Sequence, residues 1–124
     1  MSKHLLSDRQ LNAVKFILNL LMQSEYNKYM DKILLYGSCA RGEQTPDSDV
    51  DIFVVMSDEF SNLASDDNVF ITLTQLKAKA AYTDDVRQSV DLHFTSGNEW
   101  MRNSGLYYSR IRKEGIVLWQ NERT

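Results

Sequence analysis

Apolar positions first recur at helical spacing. Leu11, Val14, Ile17, Leu18, Leu21 and Met22 follow Ser7-Asp8-Arg9-Gln10, which has the form of a capping box. The spacing predicts a helix from about Asp8 to Lys28. The short apolar run Ile33 to Tyr36 ends at Gly37 and reads as a buried strand. Ser38 to Gly42 can form one or two helical turns, stopped by the glycine. Glu43 to Ser48 holds the single proline, Pro46, and reads as a loop. From Asp49 to Met56 the pattern predicts a second strand, with Asp49, Asp51, Phe53 and Val55 on one face and Val50, Ile52 and Val54 on the other.

Further on, Val69, Phe70, Leu73, Leu76 and Ala80 fit a helix from about Asp66 to Tyr82, although "VFITLT" is rich in β-formers. "VDLHFT", Val90 to Thr95, alternates as a third strand, with Asp91 and His93 on one face and Leu92 and Phe94 on the other. Ser96-Gly97-Asn98-Glu99 resembles a second capping box. It predicts a helix from about Asn98 to Lys113 carrying Trp100, Met101, Leu106 and Ile111. Gly115 ends that helix, and Ile116 to Trp119 forms a closing strand. The order of elements indicates an α/β fold: a small mixed sheet with flanking helices.

Composition narrows the picture. The chain has 124 residues, 43% hydrophobic and 25% charged, as expected for a globular protein of one domain spanning 1–124. A net charge of −3 argues against a bulk electrostatic grip on nucleic acid, so no direct nucleic-acid partner is expected. Cys39 is the sole cysteine, which precludes an intramolecular disulfide. The N-terminus lacks an apolar stretch of signal-peptide length, and no run approaches the ~18 residues of a membrane span. A cytoplasmic protein with no membrane partner is expected.

Three groups carry candidate chemistry. The Gly37-Ser38 pair sits where a strand turns into a helix start, whose amides can hold a phosphate; a plain turn with a cap is the simpler alternative for Gly-Ser alone. Arg41, one turn on, could add positive charge to a phosphate or pair with Glu43. Asp49 and Asp51, at i and i+2, have Cα atoms roughly 6.6 Å apart on one face. Carboxylates so close repel unless a cation sits between them, and their hard oxygens suit Mg²⁺; two solvated carboxylates at a strand mouth is the alternative. Asp91 opens another strand. If the two strands are neighbours, about 4.8 Å apart, three acids converge, an arrangement that can hold two metals about 3.5–4 Å apart. His93 shares the face of Asp91 and is read as a packed or edge histidine. Tyr107 and Tyr108 are read as core aromatics, with a partner or a nucleobase as the alternative for one of them. Arg110, Arg112 and Lys113 are read as a solvated face near a helix C-terminus. Cys39 is read as a small residue in a tight turn, with a low-pKa thiol at a helix start as the alternative.

Taken together, "GSCARG" at 37–42, "SDVD" at 48–51 and "VD" at 90–91 resemble the pattern of the DNA polymerase β-like nucleotidyltransferase superfamily. "IRKEGIVLW" at 111–119 resembles the terminal strand of its small members, and the length resembles the minimal nucleotidyltransferases encoded beside HEPN-domain proteins. The resemblance implies a polymerase β-like fold and transfer of AMP from ATP to a tyrosine of a HEPN ribonuclease toxin, with this chain as antitoxin. It implies that Gly37 and Ser38, with Arg41 as an auxiliary, hold the nucleoside triphosphate. Asp49, Asp51 and Asp91 would be the catalytic residues and bind Mg²⁺, two ions per site. Cys39 departs from the pattern, standing where relatives often carry a bulkier aromatic or basic residue. Two alternatives remain: an antitoxin acting by contact alone, and a transferase acting on a small molecule such as an aminoglycoside.

Overall fold

The computed structural model describes residues 6–62, 66–81 and 89–122. Four strands, β1 (Met30–Tyr36), β2 (Val50–Met56), β3 (Val90–Ser96) and β4 (Ile116–Gln120), form one sheet in the order β3-β2-β1-β4. β1 pairs antiparallel with β2 and with β4, while β2 and β3 run parallel. The sheet is therefore mixed, as expected. Among the described residues, five α-helices flank it: α1 (Asp8–Met22), α2 (Ser38–Arg41), α3 (Asp67–Ala81), α4 (Gly97–Arg102) and α5 (Leu106–Glu114). No helix among the described residues is long and apolar enough to cross a membrane.

The period-2 alternation sorts the strands between two apolar clusters. Ile33 and Leu35 of β1, Val50, Ile52 and Val54 of β2, and Val90 and Leu92 of β3 join Ala13, Val14, Ile17 and Leu21 of α1 and Val69, Leu76 and Ala80 of α3. Residues one step out of phase, Leu34, Tyr36, Phe53 and Val55, meet Trp100 of α4 and Ile111 of α5 on the opposite face. Asp51, Asp91 and His93 share this second face by alternation, at the sheet end from which β2 and β3 both start.

Some expectations need correction. The first helix stops at Met22, six residues short of Lys28, where Asn27 Nδ2 donates to Met22 O at 2.6 Å and Ser24 Oγ accepts from Tyr26 N at 3.2 Å. These local side-chain bonds offer the backbone an alternative to another helical turn; a short 3₁₀ turn, Asn27–Tyr29, follows. The expected helix from Asn98 to Lys113 is two helices. Asn103 Oδ1 accepts from Gly105 N at 2.8 Å, a side-chain turn that breaks the path between α4 and α5. Ser96 caps α4 through Glu99 N, but the Glu99 carboxylate accepts from Asn103 Nδ2 at 2.6 Å. On α3, Val69, Leu73, Leu76 and Ala80 form the inward stripe, while Phe70 falls outside it and is 69% exposed. Met101 and Leu106 are also exposed. The expected end of α3 at Tyr82 lies outside the described residues.

Gln10 goes beyond its capping role. Ser7 and Gln10 complete the capping box of α1, with Gln10 N donating to Ser7 Oγ and Ser7 N to Gln10 Oε1. The fully buried Gln10 side chain also donates through Nε2 to Thr45 O at 2.8 Å and to Ser48 O at 3.1 Å. It thus ties α1 to the loop that delivers Asp49. Gln10→Met, which keeps the volume but removes the Nε2 bonds to Thr45 O and Ser48 O, is expected to cost about 2 kcal/mol in chemical denaturation.

Candidate active site

The site forms where β1 ends and β2 begins. Gly37 leaves β1 with φ 74° and ψ −154° and serves as N-cap of α2; Gly42 closes that single turn in the left-handed region, φ 71° and ψ 26°. A side chain at Gly37 is ruled out twice. Its positive φ lies in a region essentially restricted to glycine, and a Cβ would overlap the Asp51 carboxylate. The Gly37-Ser38 turn and the second aspartate are therefore in direct apposition, though Gly37 and Asp51 are fourteen residues apart.

The register answers the question left open for Asp91. Tyr36 pairs with Asp51 across β1 and β2, and Asp51 pairs with Asp91 across β2 and β3. Tyr36, Asp51 and Asp91 thus form one row across three adjacent strands. Burial pushes the Asp51 carboxyl up from an ordinary 3.8 to about 6, with repulsion from Asp91 and Asp49 adding to the rise and His93 and Arg41 opposing it. Asp49 and Asp91 are exposed, Asp51 half-buried.

These electrostatics give a pH prediction for the metal-free protein. A raised carboxyl favours the fold while protonated, so its contribution is present in acid and is lost as pH rises from the ordinary carboxylate range through about 6. Asp51→Asn removes the loss. It is expected to melt with the parent near pH 4 and above it at pH 7, by about 1–2 kcal/mol after allowance for solvent screening. Parallel melts across that range check this.

The neighbours of the three acids largely match the expectations and add partners to them. His93 is packed, its ring stacking on Phe53, and its Nε2 also lies 3.0 Å from Asp91 Oδ2. Arg41 is held by Glu43 at 3.2 Å and Glu114 at 3.4 Å, the ion-pair alternative extended by a second partner. Cys39 is buried, donates to Asp49 O at 3.6 Å, and has its thiol raised chiefly by burial, which fits the small-residue reading rather than a reactive thiol. Tyr108 packs on Phe53 and bonds Thr95, as a core aromatic does, whereas Tyr107 is half exposed. Arg110, Arg112 and Lys113 are exposed, as read, and Arg112 also donates to Trp100 O and to Asn103 O. Tyr36, which sequence reasoning passed over, stands beside Asp51; its place immediately before Gly37 is the signal that could have found it.

Among the described residues, no three His, Cys, Asp or Glu side chains are gathered closely enough to hold a metal on their own. The donors that do stand together are carboxylates, and their mutual repulsion adds to the burial that lifts Asp51, a repulsion that a hard divalent cation relieves. Mg²⁺ generally takes one or two carboxylates and completes its shell with substrate phosphates and water, so the acids present fit it.

Residues 19–118 match the family model of the nucleotidyltransferase domain. The chain belongs to this family. The match spans the Gly-Ser turn and all three acids. A relative in Methanocaldococcus jannaschii, named "putative protein adenylyltransferase", is 30% identical over 107 residues, covering 86% of this chain and 95% of the relative. A nucleotidyltransferase structure from Sulfolobus solfataricus superposes with a TM-score of 0.58 at 21% identity, over 93% of this chain and 84% of that one. A toxin–antitoxin structure with AMP-PNP gives a TM-score of 0.54 at 23% identity, over 94% and 77% of the two chains. A mutant of the MntA-HpeT toxin–antitoxin gives 0.51 at 21% identity, over 90% and 74%. The structural likenesses establish a nucleotidyltransferase fold, and the family and the relative make this protein a nucleotidyltransferase.

Proposed function

We propose that residues 1–124 form a single minimal nucleotidyltransferase domain that transfers AMP from ATP to a tyrosine hydroxyl of a partner protein. The partner is a HEPN ribonuclease toxin encoded beside it, and this chain is the antitoxin. The observation that carries the reading is the register pair Asp51–Asp91, which sets the third acid directly beside the second. The relative named for protein adenylyltransfer and the toxin–antitoxin structures of similar fold support the choice of acceptor and partner.

In this reading the amides of the Gly37-Ser38 turn and the Ser38 hydroxyl hold the triphosphate. Asp49, Asp51 and Asp91 would hold Mg²⁺, which when bound neutralises charge on the triphosphate and on the departing pyrophosphate. The acceptor oxygen attacks the α-phosphorus, the bond to the β-phosphate bridge breaks, and pyrophosphate leaves with that electron pair. Asp91 takes the acceptor's proton. His93, bonded to Asp91 Oδ2, restrains the carboxylate and leaves its other oxygen for that work. Most of the rate comes from positioning and charge neutralisation.

The test is a mass measurement. Mixed with ATP, Mg²⁺ and the product of the adjacent gene, the protein is expected to raise that product's mass by whole AMP units. No shift with any of the four nucleoside triphosphates, while the partner is still neutralised, would instead establish inhibition by contact alone. AMP appearing on an aminoglycoside and not on the partner would establish the small-molecule reading.

A further inference from the structure

Of the three acids, Asp49 is the one that the sheet does not place. Asp51 is paired on both sides, with Tyr36 of β1 and with Asp91 of β3, so backbone ladders set both Asp51 and Asp91. β2 starts at Val50, and Asp49 stands before it, outside both registers. Its place therefore depends on the loop that leads to it. Cys39 Sγ donates to Asp49 O, but at 3.6 Å and from a thiol this is a weak hold.

The loop closes on itself and then on α1. Ser48 N donates to Thr45 O at 3.1 Å and Thr45 N to Ser48 Oγ at 2.9 Å, which makes residues 45–48 one tight turn. The N-cap and first turn of α1 hold that turn at three points. Ser7 Oγ donates to Pro46 O, Arg9 pairs with Asp47, and Gln10 Nε2 donates to Thr45 O and Ser48 O. The first two contacts are exposed, where such pairs contribute little. Gln10 is fully buried, and its Oε1 accepts from Ser7 N at 2.9 Å, so both ends of its amide are fixed. Ser48, one of its two acceptors, immediately precedes Asp49. We propose that Gln10 is a positioning residue of the metal site: through Ser48 it holds Asp49 ready for the ion that Asp51 and Asp91 would share. The proposal rests on the transfer reading above, because that reading assigns Mg²⁺ to Asp49.

The test follows Mg²⁺-dependent binding of the non-transferable α,β-methylene analogue of ATP by calorimetry, without any acceptor. In Gln10→Met the Mg²⁺ concentration for half-maximal binding is expected to rise about tenfold or more, as when a metal ligand loses its outer partner. Ile17→Val is the control for a general loosening of α1, since it trims the same helix in the core, two turns away from Gln10. It should keep the parent's Mg²⁺ requirement. Hydrogen exchange reads the clamp directly. The amides of Thr45 and Ser48 should be protected in the parent before any ligand is added, lose that protection in Gln10→Met, and keep it in Ile17→Val. Free exchange at these two amides in the folded parent overturns the clamp, even if Gln10→Met fails to fold. A Gln10→Met protein with the parent's Mg²⁺ requirement, or an Ile17→Val protein that shares the rise, overturns the clamp and leaves the transfer reading standing. A parent that binds the analogue equally with and without Mg²⁺ overturns the metal role of the acids, and both readings with it.

Discussion

Asp49→Asn combined with Asp51→Asn is expected to lower nucleotidyl transfer by about a thousandfold or more, to the limit of detection, while the protein stays folded. The size follows from what the two carboxylates do. In the proposed reaction the protein has little covalent work, so removing the groups that would hold the charge-neutralising ion removes most of the rate. The fold is expected to survive because Asp49 is exposed and because Asp51 carries a raised carboxyl, repelled by both neighbours. Asparagine keeps the shape of each side chain and relieves that repulsion. The partner's mass spectrum, with and without ATP, reads the activity, and a thermal melt reads the fold. Full neutralisation of the partner by the double variant would show that transfer is not how it is silenced.

Gly37→Ala is expected to combine a loss of stability with a loss of activity. The methyl group demands a φ that alanine does not sustain, at a cost of about 1–3 kcal/mol. It also invades the space of the Asp51 carboxylate, so relief can come only by moving the turn or the acid. Either shift is of the order of an ångström, enough to cost about a hundredfold in rate. The diagnostic comparison is with Gly97→Ala. Gly97 has no positive φ, and its nearest neighbours to a new Cβ are at 3.1 and 3.2 Å, so that variant should lose some stability without the same fall in activity.

Much of this site was legible in the sequence because its parts depend on short-range rules. The alternation read from Asp49 to Met56 set Asp51 on the face opposite Ile52 and Val54, and both clusters respect that division, with Asp49 just before the strand. Gly37 and Gly42 marked the ends of a single helical turn, where both have positive φ. What stayed hidden was decided by long-range side-chain partners. Nothing in Ser7-Asp8-Arg9-Gln10 says that the glutamine reaches Thr45 and Ser48, because that contact exists only after α1 docks on the sheet. Arg41 could be paired with Glu43 from spacing, but Glu114 lies seventy-three residues away. The break at Asn103 turned on one side chain competing for a backbone amide, which hydrophobic periodicity does not register.

The parallel pairing of β2 with β3 has a bearing on how such proteins can diverge. Gly37 directly follows β1 and Asp51 lies on β2, its antiparallel neighbour, so an insertion in the segment joining them would fall within the site itself. Asp91 reaches Asp51 by a crossover through α3, and its height is set by sheet hydrogen bonds, not by the length of chain between. Residues added to or removed from that crossover leave the acids aligned as long as β3 keeps its register. The length of the crossover between β2 and β3 is therefore free to drift, and a search for kindred sites should fix the first interval and let the second float.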